Sequence, residues 1–310
     1  MSDTPASMRR RLQSATELRS VVRTMKSLAA SSIGQYVRSV RALGDYYQTV
    51  ELGLGACLRA KEADAPRDRP VGRAKPVAPA AIVFGSDQGL VGQFNDVVVG
   101  EAVKTLRAIP GGARVWAVGE RVRARLAEVG LTPTGVFDVP ASVEAIAPLV
   151  GKILVETATP DDRVEVTQLY LFYNRSASGA AFAPVRERLL PLDDEWRRTR
   201  AAVAWPTKTM PEVLGEDTAT LRALVREYLF VSLFRASAQS LASENASRLA
   251  AMDRAEKNID DSLETLKATF QRLRQAGIDE ELFDVVSGFE ALSKKHKASE
   301  RAAETADDGN

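Results

Sequence analysis

The chain has 310 residues, of which 45% are apolar and 27% charged, with a formal net charge of +1. That length allows one or two domains with a full core, and so even a charge balance excludes a global electrostatic case for nucleic acid or a strongly acidic substrate. One cysteine, Cys57, rules out an intrachain disulfide and fits a reducing compartment, and no apolar run reaches the roughly 18 residues of a membrane span.

The first segment, from about Ser7 to Leu58, holds no proline and predicts one long helix. Met8, Leu12, Ala15, Leu18, Val22, Met25, Ala29, Ile33, Tyr36, Val40, Leu43, Tyr47, Val50, Leu54 and Cys57 recur every three or four residues with a mean step of 3.5. That is the period of a left-handed coiled coil. At about 1.5 Å per residue the helix is roughly 75 Å long, and it needs a partner of comparable length. Eight basic residues lie between Met8 and Arg41 against one acid, Glu17, so this face is expected to seek an acidic partner. The segment lacks an apolar signal core. Its Arg- and Ser-rich start also reads as a mitochondrial presequence, a reading that competes with the long helix.

Composition changes at Lys61–Pro79, where four prolines and many charges predict a mobile linker. An α/β pattern follows. Strands are expected at Ala80–Phe84, Arg114–Val118 and Gly135–Val139, and helices at Asn95–Ile109, Glu120–Val129 and Ser142–Thr157. Val164–Tyr173 and Ala183–Leu192 read as a closing antiparallel pair around the turn Asn174–Gly179. Alternation of this kind predicts a small, mostly parallel, Rossmann-like sheet. Ala204–Gly215 links back to a second proline-free stretch, Glu216 to about Leu292. There Leu221, Leu224, Tyr228, Val231, Phe234, Ala238, Leu241, Asn245, Leu249, Met252, Ala255, Ile259, Leu263, Leu266, Phe270 and Leu273 keep the same period. Asn245 is the one polar member, a type of residue that fixes register at a cost in stability. The predicted fold is therefore α/β plus a long antiparallel coiled coil, with residues 7–60 and 212–292 as a hairpin shaft around a central domain at 80–204. Residues 293–310 carry no large apolar side chain and are expected to be a disordered tail; helical continuation is the competing view, since Ala and Glu favour helix.

Most enzyme chemistry is missing. The sole histidine, His296, lies in the polar tail, so no histidine triad or zinc site can be built inside the fold. Neither G-x-x-x-x-G-K-[ST] nor G-x-G-x-x-G occurs. Gly85-Ser-Asp-Gln-Gly-Leu-Val-Gly-Gln-Phe-Asn95 follows a strand and precedes a helix, as a phosphate-cradling loop does. It has no lysine, and Gly85, Gly89 and Gly92 are misplaced for either fingerprint, so a structural or partner-contact turn is the better reading. Asp87 reads as a turn cap rather than a catalytic acid. The run Asp253, Arg254, Glu256, Lys257 reads equally as a solvated face or a contact. No cofactor is expected.

Four blocks carry a resemblance: Met25-Lys-Ser-Leu-Ala-Ala-Ser31; Ser86–Asn95; Leu241-Ala-Ser-Glu-Asn-Ala-Ser-Arg-Leu-Ala-Ala-Met-Asp-Arg-Ala-Glu-Lys-Asn258; and Arg274-Gln-Ala-Gly-Ile278 with Glu281-Leu282 and Val286–Leu292. In this order they resemble the gamma subunit of F-type ATP synthases across Met8–Leu292. The resemblance implies a non-catalytic central-stalk rotor that carries torque between the membrane c-ring and the catalytic ring. It implies alpha, beta and epsilon subunits and the c-ring as partners, with no nucleic acid and no membrane span of its own. It further implies a place on the cytoplasmic face of a bacterial inner membrane, and contact with beta through Met25, Lys26, Asp87, Gln88, Gly89, Arg274 and Gln275. The chain departs from the family where Gln88 replaces a basic residue, Val91 a cysteine and Gln93 a glycine, and where Ser32-Ile-Gly-Gln-Tyr replaces a basic run. Those departures point to a divergent, alternate-operon branch. A coiled-coil adaptor and a Rossmann-like nucleotide enzyme with coiled-coil arms are the alternative readings.

Overall fold

The computed structural model describes residues 4–63, 79–157, 168–177, 180–192, 196, 198–199, 205–209, 211 and 217–307, with side chains as far as Glu290. Of the linker expected at 61–79, residues 61–63 are helical as the end of α2 and 64–78 lie outside the described residues; of that at 204–215, residues 205–209 and 211 are described. Elements run in the order α1 (Pro5–Ala42), α2 (Gly44–Ala63), β1 (Ala80–Phe84), α3 (Phe94–Leu106), β2 (Arg114–Val118), α4 (Glu120–Glu128), β3 (Gly135–Phe137), α5 (Ile146–Thr157), β4 (Leu169–Ala177), β5 (Ala180–Leu190) and α6 (Asp217–Asp307). They divide into two compact units, Met1–Thr24 with Arg254–Asn310, and Met25–Asp253. The division does not follow the expected border between helices and α/β segment, because α2 and part of α6 share a core with the sheet.

In the larger unit a five-stranded sheet has the order β3-β2-β1-β4-β5. β1 pairs parallel with β2 and β4, β2 parallel with β3, and β5 closes the edge antiparallel to β4. Strand alternation builds two cores. Ile82, Phe84, Trp116, Val118, Leu171 and Tyr173 face α5, α2 and α6. Ala81, Val83, Val115, Ala117 and Phe172 face α3 and α4. All five residues of β1 are buried, as a strand covered on both faces requires.

The second long helix enters this core broadside. Within α6, Tyr228, Val231, Leu233, Ala236, Ala238, Leu241 and Ala242 are buried, and so are Ser232, Ser237, Ser240, Ser243 and Ser247. Small side chains let the helix be buried on most of its circumference. The Ala/Ser run therefore packs inside this chain rather than standing free. Arg235 stands among the sheet and both helices: it pairs with Glu187 at 2.9 Å and lies 4.1 Å over the Tyr47 ring. Burial opposes its charge, and the Glu187 carboxylate together with Tyr47, Tyr173 and Glu51 raises its pKa nonetheless.

The smaller unit is an antiparallel helix pair. Arg19 pairs with Asp260 at 2.7 Å and Arg23 with Glu256 at 2.6 Å, while the Arg9 guanidinium lies 6.0 Å over the Phe270 ring. Each step up α1 is matched by an equal step down α6, so the register is fixed. Met8, Val22 and Leu263 are buried between the helices. Leu18 is the exception among the expected α1 seam positions at 53% exposed; the neighbouring Arg19 takes the inward place through Asp260. Extending the register, Pro5 at the start of α1 stands opposite Arg274, so the next turns of α6 have no α1 beside them.

Four expectations change. The turn expected at Asn174–Gly179 is shorter, because β4 runs on to Ala177 and β5 begins at Ala180, where the two strands continue to pair. The first helix is not continuous: α1 ends at Ala42 and α2 starts at Gly44, where glycine weakens the helical backbone. Asn245 does not set register across helices, because its Nδ2 donates to the Leu241 carbonyl of its own helix at 2.9 Å. And the backbone is helical through Asp307, so the disordered tail expected at 293–310 is not what the described residues adopt; the helix-favouring Ala and Glu there decide it.

Candidate functional site: a pinned turn and a bare helix end

In open α/β sheets ligands bind outside the carboxyl ends of the strands, where the strand order reverses. Here that place lies beyond β1 and β4, and the chain fills it with its own turn, residues 85–93. Gly85 is required by close approach: a Cβ there would lie 2.3 Å from Val122 Cβ. Ser86 N–H donates to Asn95 Oδ1 at 3.0 Å, and Asn95 Nδ2 donates back to Ser86 Oγ at 2.9 Å. Asn174, within β4, donates to the Phe94 carbonyl at 2.8 Å. The Asp87 carboxylate accepts from Glu120 N–H at 2.9 Å and Val139 N–H at 2.8 Å. From α6, Ser247 Oγ donates to the Val91 carbonyl at 2.5 Å.

This bonding answers the phosphate question. Side chains of the chain itself occupy the crevice, and the first backbone N–H of α4 is already spent on Asp87. The turn itself carries no lysine, and no group of His, Cys, Asp or Glu among the described residues can hold a metal ion. A groove of about 830 Å³ does lie elsewhere, between β3 and α5. Val136, Pro140, Leu149 and Val155 give it apolar walls, and it contains no phosphate loop.

Above its anchors the turn presents Gln88 and Leu90 to solvent, with Gln93 beside them. Leu90 is 59% exposed and sits at φ 64°. A bulky non-glycine residue in the left-handed region costs energy, and here the bonds on either side hold it there.

The residues implied as partner contacts fall into two groups. Asp87, Gln88 and Gly89 are in the turn, and Asp87 is a structural pin, with its carboxylate turned toward backbone amides. Met25 is half-buried, and Lys26 pairs with Asp253 at 2.5 Å. Ser247 and Asp253 are six residues apart on α6, about 9 Å along the axis, so the turn and Lys26 are held by the same two turns of helix. The acidic residues Asp253, Glu256 and Asp260 bind Lys26, Arg23 and Arg19. Part of the basic face expected to seek a partner is thus neutralised by the chain itself. Arg274 and Gln275 belong to the other unit and are exposed, followed by exposed Ile278, Leu282, Phe283, Val285, Val286 and Phe289.

Beneath the turn, Arg248 Nη2 meets Glu244 Oε1 at 2.6 Å. Burial raises the Glu244 carboxyl above the usual carboxylate range; Arg248 opposes that shift and the Asp87 charge adds to it. Sequence reasoning placed Glu244 and Arg248 in a motif without assigning this pair. The Glu/Arg spacing of four on a helix was the available signal.

The switch point of this α/β domain is plugged by the chain's own turn, and α2 and part of α6 share the core of its sheet. A family model described as ATP synthase matches residues 4–292. An ATP synthase gamma chain of Cyanothece sp. is 32% identical over 92% of this chain and 98% of its own length. One from Moorella thermoacetica is 27% identical over the same shares. The rotor of Euglena gracilis mitochondrial ATP synthase has the same fold, with a TM-score of 0.60 at 14% identity over 88% of this chain and 98% of that one. A Tetrahymena thermophila central stalk/c-ring chain gives 0.54 at 20% identity, over 76% and 99%. The chain belongs to the ATP synthase gamma-chain family.

Proposed function

We propose that the chain is the central-stalk rotor of an F-type ATP synthase, carrying torque between a membrane c-ring and an alpha/beta ring while making no covalent change itself. The observation that carries this reading is the gamma-chain match over 92% of the chain and 98% of the relative. The plugged crevice and the missing phosphate motifs support the non-catalytic part. No helix among the described residues is long and apolar enough to cross a membrane, so attachment to the membrane runs through partners. The same proposal makes the chain a peripheral subunit on the cytoplasmic face of a bacterial inner membrane, with an epsilon subunit beside its α/β domain.

Contact with beta subunits runs through Met25 and Lys26, through the turn with Gln88 and Gly89 that Asp87 holds in shape, and through Arg274 and Gln275. The last pair stands opposite the start of α1, and the exposed apolar residues beyond it need cover of the kind a surrounding ring supplies. The adaptor reading and the nucleotide-enzyme reading find no observation in their favour. The purified chain should hydrolyse no ATP, and turnover should appear only when it is combined with alpha and beta subunits of the same organism. Steady hydrolysis by the pure chain, undiminished by further purification, would overturn the reading.

A further inference from the structure

The pinned turn carries a charge that does not come from the turn. Gln88, Leu90 and Gln93 are neutral, and Asp87 is spent on two backbone amides. Arg121, the second residue of α4, lies against it. Its backbone N–H donates to the Ser86 carbonyl at 2.9 Å, which ties its position to the turn. Its Nη2 lies 3.9 Å from the point a Gly89 Cβ would occupy, so the guanidinium covers the glycine. The side chain is exposed. The adjacent carboxylate, Glu120, is taken by Arg123. Asp96 and Glu128 are taken by Arg125. Arg121 itself forms no ion pair among the described residues.

We propose that Arg121 is a specificity-determining contact residue: it supplies the positive charge of the turn surface, and the partner surface that meets the turn bears a carboxylate opposite it. This deepens the rotor reading and rests on it. The chemistry follows from the placement. A guanidinium offers a planar fork of donors to a carboxylate. Gly89 puts no side chain beneath that fork, and the Arg121 Nη2 sits at van der Waals distance from the place a Cβ would take. Leu90, held outward at positive φ, gives the apolar contact beside the charge, and Gln88 and Gln93 give neutral donors and acceptors around it. A charge at an exposed rim adds a modest, salt-dependent part of the affinity and fixes orientation. A rotor surface that must form and break contacts repeatedly is suited by an interaction of that size.

The test uses the full chain and the alpha and beta subunits of the same organism. Affinity for the alpha/beta ring is measured as a function of salt for the parent chain, Arg121→Gln, Arg121→Lys and Arg121→Glu, beside the melting temperature of each isolated chain. Arg121→Gln is expected to bind about two- to fivefold more weakly at low salt. Its salt slope should be flatter than the parent's, and the two should converge near 0.5 M salt, roughly where screening removes exposed pairs. Arg121→Lys should recover most of the loss and Arg121→Glu deepen it, with melting temperatures unchanged. The inference is overturned if Arg121→Gln keeps the parent's affinity and slope, or if its loss is the same at low and high salt. A parent chain that does not join the ring overturns the rotor reading, and this inference with it.

Discussion

Residues 231–252 and 274–290 belong to one helix, α6, and meet opposite surroundings. The first stretch is enclosed, with Val231, Leu233, Ala238 and Ser243 fully buried. The second is exposed at nearly every position, with Phe283 and Phe289 each 74% exposed. Composition does not explain the difference, since both stretches hold large apolar side chains, Leu233 and Phe234 in the first and Phe283 and Phe289 in the second. Partners do. The first stretch meets the sheet, α1 and α2 of its own chain, and small residues are what that crowding allows. The second continues past the residue opposite Pro5, so nothing of the described chain lies beside it. Apolar residues with no intrachain cover mark a surface meant for another molecule.

The comparison can be broken by placing the same charge in both stretches. Ala238→Asp puts an unpaired carboxylate into a fully buried site and should cost about 4 kcal/mol or abolish folding of the larger unit. A melting curve within a degree of the parent's would mean that Ala238 is not enclosed. In the smaller unit Leu263→Ala should cost about 2–3 kcal/mol by denaturant titration, since Leu263 is buried between α1 and α6. No change in midpoint would show that the helix pair does not close there. Ile259, half-buried, is the weaker probe of the same seam.

The Ser86–Asn95 turn and the seams differ in how far they could be read in advance. Fifteen apolar positions at a mean step of 3.5 residues announce a long helix and its partner, and every expected seam position of α6 is buried or half-buried. The alternation of strands with helices likewise announced the mostly parallel sheet, though not the two cores on its faces. What periodicity cannot carry is a bond between distant residues. Ser247 to Val91 spans 156 positions, and nothing local to either residue announces it. The same holds for the pairing of Arg19, Arg23 and Lys26 with α6, which turned an apparent basic face into an internal ladder. The interruption near Leu43 was missed because Leu43 fits the seam and a lone Gly44 is compatible with helix.

The buried Glu244 sharpens the account of the enclosed stretch. Its carboxyl is raised above the ordinary value by burial, so the folded chain holds that proton more tightly than the unfolded chain. Its contribution is complete below the ordinary carboxylate pKa and is lost as pH rises through the raised one. Glu244→Gln removes the ionisation, so its stability relative to the parent should improve as pH rises from about 4 to about 8. A gap independent of pH would contradict the raised value.

The smallest effects on stability belong to the bare stretch. Val286→Asp, and the double change Arg274→Ala with Gln275→Ala, should leave the melting of the isolated chain within about 0.5 kcal/mol. Each should nonetheless impair ATP turnover of the assembled complex. Full turnover in both would mean that this end of α6 makes no working contact.

In the function proposed above, this chain turns inside a ring of other subunits and transmits work without doing chemistry. The most direct measurement fixes the alpha/beta ring to a surface, attaches a probe to the α/β domain of this chain, and follows the probe under ATP. The account predicts sustained rotation in one direction that stops when ATP is withdrawn. Full ATP hydrolysis by the assembled complex with a stationary probe would contradict it.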